Sequence, residues 1–389
     1  MFRALLLALL ATRATAVPKP WARVREVLQL QPFIRDVAVV VGDGEGRLFH
    51  AEKGDMTLDR PLWVASSSKM VFVVRAMQLV EQGVLKLSDP VSKYLPYWTQ
   101  DSSDTRSRVT LLHLLSFQSG YTFGLTKVDS CWLRPRFNFS TCVERLYHSL
   151  PHGAEPGTVW DYNEFHNQVV AAVLEMVTST DIHTLLERDL QTWNMTHSRY
   201  ANHEGPGGPD VSADLVTTAS DYEQFMIRYF GGHLLSNQTV SVMEQDHMPE
   251  RCSLESLPLV IPQGHYGIGN WWVCPADFDP LLHRTKLEPM PKRCVDAKVH
   301  SDQGLFGFWP VWDRRLGYWM LLAVEGLPLL SDFKTEMLQL ALKPFIDRAV
   351  VEERGGQFGE VPMPDWASLA ARADLRQAAA NVSAVTLLV

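Results

Sequence analysis

The sequence predicts an α/β (α+β) protein, because strand patterns near both ends of the chain enclose a long middle region that is mostly helical. The first two strand patterns are separated by the glycine-rich segment 42–46, which is typical of a β-hairpin. Strand patterns return from Tyr266 onward, after the helical and loop-rich region 60–260. The strands are predicted at 37–41, 47–52, 306–311 and 316–324.

Three helices are predicted beside these strands. An amphipathic helix covers 18–31, and a closing helix covers 331–350. The third helix begins at Ser66, where an N-cap residue belongs, and ends before Gly83, where a C′ glycine belongs. Its apolar residues recur at helical spacing: Met70, Val73, Val74, Met77 and Val80.

Ser66 and Lys69 form an S-x-x-K motif at the start of the third helix. Their i, i+3 spacing places a hydroxyl beside an amine on one helix face. A serine there can attack a carbonyl whose oxygen binds the free backbone N–H groups, and a lysine whose pKa is lowered can take the serine proton. The alternative is an N-cap serine followed by a solvated lysine, because a chain of this length holds about one such motif by chance.

Other segments occur in the order and spacing of a known family. They are 77–96, 114–120, 156–158 with Tyr162, 215–219 with Asp221, 266–269, and His300-Ser301 with Gly304, Gly307 and Phe308. In these segments the chain resembles the serine β-lactamase-related family of class C type, which includes β-lactamases, D-amino-acid peptidases and carboxylesterases. The resemblance covers most of residues 33–345.

The resemblance implies a β-lactamase/penicillin-binding-protein-like fold, in which one antiparallel sheet is flanked by helices and a mostly helical domain is inserted. Ser66 then lies at the junction of the two parts, where clefts usually form. The expected parts are a β-lactamase-related domain at 17–350, with a sheet subdomain at 17–60 and 265–350 and a helical insert at 61–264, and a C-terminal tail at 351–389, either a peripheral wrap or partly disordered.

Tyr162 is the second chemical motif, since the resemblance places its phenol opposite Ser66. A nearby ammonium favours the phenolate, so Lys69 and Tyr162 can share one proton. The family pattern is usually Tyr-x-Asn, whereas this chain has Glu164 where the amide would bind the substrate. A carboxylate cannot donate as an amide does, which disfavours β-lactams.

The third motif is His300-Ser301-Asp302 on a predicted strand, where the family has Lys or His, then Thr or Ser, then Gly. The resemblance makes His300 and Ser301 substrate-binding residues and makes the backbone N–H of Gln303 the second oxyanion donor, beside that of Ser66. We expect Asp302 to lie near the opening, where its charge repels anionic substrates. The alternative for His300 is an ordinary edge-strand histidine.

Composition excludes several functional classes. A net charge of −8 leaves no basic surface for nucleic acid. The sequence has no HExxH, CxxC or DxDxDG motif, so we predict no metal site and no cofactor. We find no stretch of about eighteen apolar residues and predict no transmembrane helix. The oligomeric state is left open.

The N-terminus predicts a signal peptide at 1–16, with a positive residue, a short apolar run and an A-x-A cleavage pattern. We therefore expect a secreted or secretory-pathway protein. Sequons for N-glycosylation support this and occur at Asn138, Asn194, Asn237 and Asn381.

Five cysteines fit an oxidising compartment. Cys131 and Cys142 bracket a short segment and could close a loop. Two of Cys252, Cys274 and Cys294 could pair, which leaves one thiol over.

The sequence thus predicts a secreted serine hydrolase that forms an acyl-enzyme at Ser66, with Lys69 and Tyr162 managing its proton. The substrate is a small molecule or short peptide with an ester, amide or lactam carbonyl, and esters or peptides are favoured over β-lactams. The alternative from another class is a non-catalytic secreted binding protein that keeps the fold, motivated by Glu164 and Asp302. A transpeptidase acting on cell-wall peptides is a third possibility.

Overall fold

The structure is a computed structural model of the chain. It describes residues 19–123, 131, 137–201, 208–251, 265–273, 289–328 and 330–371. The predicted signal peptide, the sequon at Asn381 and two of the cysteines, Cys252 and Cys274, lie outside the described residues.

The described secondary structure comprises helices and strands in the following order. The strands are β1 (Val37–Gly42), β2 (Arg47–Lys53), β3 (Leu62–Trp63), β4 (Arg199–Tyr200), β5 (Leu215–Thr217), β6 (Trp271–Trp272), β7 (Val299–Ser301), β8 (Trp309–Asp313) and β9 (Tyr318–Ala323). The helices are α1 (Lys19–Leu30), α2 (Ser68–Glu81), α3 (Leu111–Leu115), α4 (Phe139–Ser149), α5 (Phe165–Thr178), α6 (Ile182–Thr192), α7 (Ala219–Phe230), α8 (Asn237–Met243), α9 (Lys292–Ala297) and α10 (Leu330–Glu353).

A six-stranded antiparallel sheet joins the two ends of the chain in the order β2-β1-β9-β8-β7-β6. β1 is buried along its whole length, and its side chains alternate between two cores. Val37, Val39 and Val41 face the core beneath α1 and α10, whereas Ala38 and Val40 face the helical region. The sheet is therefore covered on both faces, and the prediction of a β-lactamase/penicillin-binding-protein-like α/β fold is confirmed.

α1 and α10 form the outer layer. The indole N–H of Trp21 on α1 donates to Glu353 at the end of α10 over 2.9 Å, and its ring stacks on Phe49 of β2. Beyond α10, the described part of the tail lies against this layer, since the ring of Trp366 packs edge-on against Phe33.

The helical region lies on the other face of the sheet and is centred on α5. The first ten residues of α5 are buried, which its apolar run predicts. A second, three-stranded sheet in the order β3-β5-β4 connects the segment before Ser66 to this region. Ser66 consequently lies where the helical region meets the large sheet.

The third predicted helix begins later than expected. Ala65–Ser67 form one 3-10 turn, and α2 starts only at Ser68, so Ser66 is not its N-cap. The end of the helix agrees with the prediction, because Gly83 has a φ of 74° after the C-cap Gln82, a conformation that favours glycine.

No single described helix has the length and hydropathy needed to span a bilayer, although α5 and α6 together meet that test as a pair bent by 85°.

Cys131 and Cys142 form a disulfide whose Cα atoms are 5.7 Å apart. Cys294 is disulfide-bonded as well. The two cysteines predicted as its possible partners lie outside the described residues.

We expect the double substitution Cys131→Ser with Cys142→Ser to lower the free energy of unfolding by about 2–3 kcal/mol, because the bond restrains a short loop in the unfolded chain. The two cysteines are separated by 11 positions. Equilibrium urea unfolding of the variant and the parent measures the difference. Equal midpoints would contradict a stabilising role for this bond.

Candidate active site

Ser66 is presented by a strained turn. Ala65, just before it, has a φ of 44°, which is unfavourable for a residue with a Cβ and recurs at functional sites. The hydroxyl of Ser67 donates to the Asp302 carbonyl over 2.5 Å, and that of Ser68 donates to the Ala65 carbonyl over 2.6 Å. These two serines are fully buried, whereas Ser66 is half-buried. Of three consecutive serines, the first is the one accessible to a substrate.

Two donors converge on the Ser66 hydroxyl. Nζ of Lys69 is 3.1 Å from Ser66 Oγ, and the phenol of Tyr162 donates to the same oxygen over 3.0 Å. The Lys69 ammonium also lies over the Tyr162 ring, 4.7 Å from its centroid. Both side chains are nearly inaccessible to solvent. The structure thus brings together the three residues that the sequence predicts as catalytic.

The protonation of Lys69 and Tyr162 differs from the expectation that these two side chains share one proton. Burial favours the neutral amine of Lys69, but the oxygens of Tyr162, Asp302 and Asp210 outweigh burial and raise the pKa of Lys69 above its usual value. Burial also raises the pKa of Tyr162, and the Lys69 ammonium offsets this only in part. The resting site therefore holds an ammonium and a neutral phenol, so the condition for Lys69 to take the serine proton, a lowered lysine pKa, is not met.

Lys69 is held by a turn that sequence reasoning missed. Its ammonium donates to the Ser212 carbonyl over 3.0 Å, and the Ser212 amide donates to the Asp210 carboxyl over 2.9 Å. Asn167 of α5 donates to the Ser212 hydroxyl over 3.1 Å. Lys69 and Ser212 are separated by 143 positions, so no local spacing could have indicated this contact.

Glu164 lies at the N-cap of α5 and pairs with Asp210. Burial raises the pKa of both carboxyl groups, and the Lys69 ammonium lowers them. The pKa of Asp210 lies well above its usual value, so the two carboxyl groups share a proton. The carboxyl at position 164 is thus engaged by a second acid beside Lys69.

Tyr162 is oriented by a buried aromatic cluster, which we call the aromatic wall: Phe117, Trp160, Tyr162, Tyr266 and Trp271. The Tyr162 ring is 4.9 Å from Phe117 and 5.5 Å from Trp271, measured between centroids. The Asp161 amide donates to the Phe117 carbonyl over 2.8 Å, which fixes the backbone beside the tyrosine. Packing against the aromatic wall restricts the orientation of the Tyr162 ring and directs its hydroxyl towards Ser66.

Asp302 does not lie near an opening, which corrects the expectation from sequence. Its side chain is completely buried, and its Oδ2 accepts from the Met70 amide, in the first turn of α2, over 2.9 Å. Burial raises the pKa of Asp302 to about 8, although Lys69 and the Met70 amide act in the opposite direction. The carboxyl therefore satisfies a free N–H at the start of α2 and is mainly protonated at neutral pH.

Gln303 and Gly304 run alongside the Ser66 turn. A Cβ on Gly304 would lie 2.0 Å from the Val64 carbonyl oxygen, so only glycine permits this approach. Gln303 is buried, and its side chain accepts from the Ser301 hydroxyl over 2.8 Å. Since Asp302 and Gly304 both contact residues 64–67, the backbone of Gln303 is held beside Ser66.

His300 lies in a different environment from Ser66, Lys69 and Tyr162. Its Nδ1 is 3.0 Å from Asn270 Oδ1, its ring packs on Trp272, and its Nε2 is 3.9 Å from Glu244. With Trp272, Glu244 and Arg314 it lines a cavity of about 340 Å³. Burial lowers the pKa of His300 to about 4, so the imidazole is neutral. β7 pairs with both β8 and β6, so His300 lies on an inner strand and the alternative of an edge-strand histidine is wrong. Its substrate-binding role stays a prediction.

Among the described residues, no group of three or more His, Cys, Asp or Glu side chains could hold a metal ion. The chemistry that this arrangement allows is nucleophilic attack by the Ser66 hydroxyl, whose proton can pass to Tyr162 or Lys69 once that pair has lost a proton.

The fold, with a serine, a lysine and a tyrosine brought together in this way, is that of the serine hydrolase class. Within that class the chain belongs to the Beta-lactamase family, whose family model matches residues 24–274.

Two curated relatives are similar to part of this chain. Lovastatin esterase of Penicillium rubens is 30% identical over 137 residues, which are 31% of this chain and 34% of the relative. Protein flp of Staphylococcus aureus is 23% identical over 153 residues, which are 38% of this chain and 30% of the relative. The chain thus spans about a third of the length of these curated relatives.

The solved structures similar to this chain support the fold. Simvastatin synthase from Aspergillus terreus matches with a TM-score of 0.61 at 15% identity, over 87% of this chain and 100% of the other. EstCE1, a hydrolase with promiscuous acyltransferase activity, matches with a TM-score of 0.59 at 16% identity, over 85% of this chain and 97% of the other. At these identities the likeness concerns the fold alone.

We expect the reactivity of Ser66 to rise with pH. The pKa values of Lys69 and Tyr162 are both raised, so both side chains are protonated at neutral pH. The pair can accept the Ser66 proton only after it has lost a proton of its own in alkaline solution. The rate of Ser66 modification by a fluorophosphonate, followed from about pH 6 to pH 10, measures this. A rate that falls over this range would contradict the assignment.

Proposed function

We propose that the protein is a secreted serine hydrolase that acts through an acyl-enzyme at Ser66 on ester, amide or lactam substrates, with esters and short peptides favoured over β-lactams. The observation that supports this best is the convergence of Lys69 and Tyr162 on Ser66 Oγ, at 3.1 and 3.0 Å. Two proton-transfer groups within hydrogen-bond distance of one accessible hydroxyl fit an activated nucleophile.

Acylation follows from these positions. Once the Lys69 and Tyr162 pair has lost one proton, Tyr162 as phenolate accepts the Ser66 proton while Oγ attacks the substrate carbonyl. The oxyanion binds the backbone N–H groups of Ser66 and Gln303, and the proton passes from Tyr162 to the leaving alcohol or amine. Water then enters and gives a proton to the Tyr162 phenolate while its oxygen attacks the acyl carbon. The bond between Oγ and the acyl carbon breaks, Tyr162 returns the proton to Oγ, and the acid leaves, which restores the Ser66 hydroxyl.

The preference for esters rests on position 164. A Glu164 carboxyl that is engaged by Asp210 offers no amide N–H to the side chain of a β-lactam. The relative named lovastatin esterase also acts on an ester, according to its name. Asp302 is buried and does not repel anionic substrates at the opening. The preference for esters over β-lactams therefore depends on Glu164.

Secretion is supported by the predicted signal peptide and by features of the described surface. Three sequon asparagines, Asn138, Asn194 and Asn237, are exposed. The disulfide between Cys131 and Cys142 suits an oxidising compartment.

The non-catalytic binding protein is less well supported. A side chain of Glu164 or Asp302 in the space at Ser66 Oγ would favour that alternative. Instead Asp302 binds the Met70 amide, and Glu164 pairs with Asp210.

The first test is covalent labelling of the purified, secreted protein with a fluorophosphonate and, separately, with a fluorescent penicillin. We expect the fluorophosphonate to label Ser66, and the Ser66→Ala variant to lose the label. Intact-protein mass spectrometry gives the stoichiometry. A folded parent protein that neither reagent labels would support the binding protein, and efficient penicillin labelling would contradict the ester preference.

We expect Tyr162→Phe to reduce the rate of Ser66 acylation by about 10²–10⁴-fold, because the phenol carries the proton in both half-reactions. Hydrolysis of p-nitrophenyl esters in a stopped-flow instrument measures acylation and deacylation separately. Tyr97→Phe is the matched control. This variant also removes a buried phenol hydroxyl, from a tyrosine whose ring packs on Tyr147 in the helical region. Equal rates in Tyr162→Phe and the control would exclude the phenol from proton transfer.

A further inference from the structure

Asp302 is a buried acid with one unsatisfied oxygen. Its Oδ2 accepts from the Met70 amide, while its Oδ1 has no hydrogen-bond partner among the described residues. The side chain is completely shielded from solvent. A single hydrogen bond does not compensate a buried carboxylate, so this geometry favours the protonated acid.

The groups that face Asp302 come from four parts of the fold. Lys69 of α2 is the cation, and the phenols of Tyr162, Tyr222 of α7 and Tyr266 all lie within electrostatic reach of the Asp302 carboxyl. The hydroxyl of Tyr222 donates to the Ser67 carbonyl over 3.1 Å, which ties α7 to the Ser66 turn. The acid pair of Glu164 and Asp210 lies near Lys69 as well.

We propose that Asp302 is a positioning residue whose charge sets the pH at which Ser66 becomes nucleophilic, by controlling when Lys69 and Tyr162 lose their proton. The inference rests on the proposed acyl-enzyme function and adds a residue to it. Asp302 is completely buried and acts through the pair of Lys69 and Tyr162.

The sign follows from the order in which protons leave. With a pKa of about 8, Asp302 ionises as the solution becomes alkaline, before Tyr162 and Lys69, whose pKa values lie above their usual ranges. The new negative charge stabilises the Lys69 ammonium and opposes a phenolate at Tyr162. The reactive form is thereby displaced to higher pH.

Asp302→Asn tests the inference, because asparagine has the same shape and can still accept from the Met70 amide but never ionises. We expect the midpoint of the pH profile for fluorophosphonate labelling of Ser66 to move to lower pH by about one unit or more, as is usual for removing a nearby like charge. Near neutral pH, where Asp302 is still protonated, the two rates should be similar, whereas above about pH 8 labelling should be about tenfold faster than in the parent.

Asp189→Asn is the matched control. Asp189 is also a buried acid, but it faces Arg75, at 3.3 Å, rather than Lys69. We expect this variant to keep the midpoint of the parent protein. Asp302→Gly is the second test variant, since glycine removes the charge without requiring a new side chain to fit. It is used if Asp302→Asn does not fold, as judged by circular dichroism.

The outcomes separate the two proposals. A shift to lower pH in an Asp302 variant, with no shift in the Asp189 control, supports the inference. An unchanged midpoint, or a uniform loss of rate at every pH, assigns Asp302 a purely structural role as the helix-terminus acceptor and overturns it. No labelling of the parent protein at any pH refutes the acyl-enzyme itself, and the inference falls with it.

Discussion

The structure of the site depends on one buried ammonium group. Lys69 is nearly inaccessible to solvent and still carries its proton, which is unfavourable unless several oxygens surround it. The Ser212 carbonyl, the Ser66 hydroxyl and the ring of Tyr162 provide direct contacts. The carboxyl pair of Glu164 and Asp210 provides counter-charge. The segments that carry these groups come from widely separated parts of the chain, so a correctly assembled fold is a condition for a charged lysine.

The large sheet explains why those segments meet. β7 pairs with β8 and β6, and the backbone that follows it contacts the Ser66 turn through Ser67 and Gly304. On the helical side, β5 pairs with β3 just before that turn. The Ser66 turn is therefore held from both sides by backbone contacts, which tolerate little displacement. This rigidity keeps the hydroxyl within reach of Lys69 and Tyr162.

Part of the site could be predicted because its geometry is local or its order along the chain is distinctive. The S-x-x-K spacing puts Ser66 and Lys69 side by side in any helical conformation, although the turn begins as a 3-10 helix. Tyr162 follows a recognisable turn and precedes an apolar helix. The surroundings of Asp302 and His300 could not be predicted, because burial depends on which helices cover the end of a strand. Sequence patterns do not show which distant helices will cover a strand, and both residues are buried in the structure.

The sequence by itself determined the fold class, the family and the residue types that can carry acyl transfer, since hydrophobic periodicity and motif order survive without coordinates. The tertiary structure decided the protonation states. The pKa of Lys69 rises rather than falls, and Asp302 keeps its proton near neutral pH. Those outcomes depend on solvent exclusion and on charges brought close by long-range contacts, and both are properties of the assembled fold.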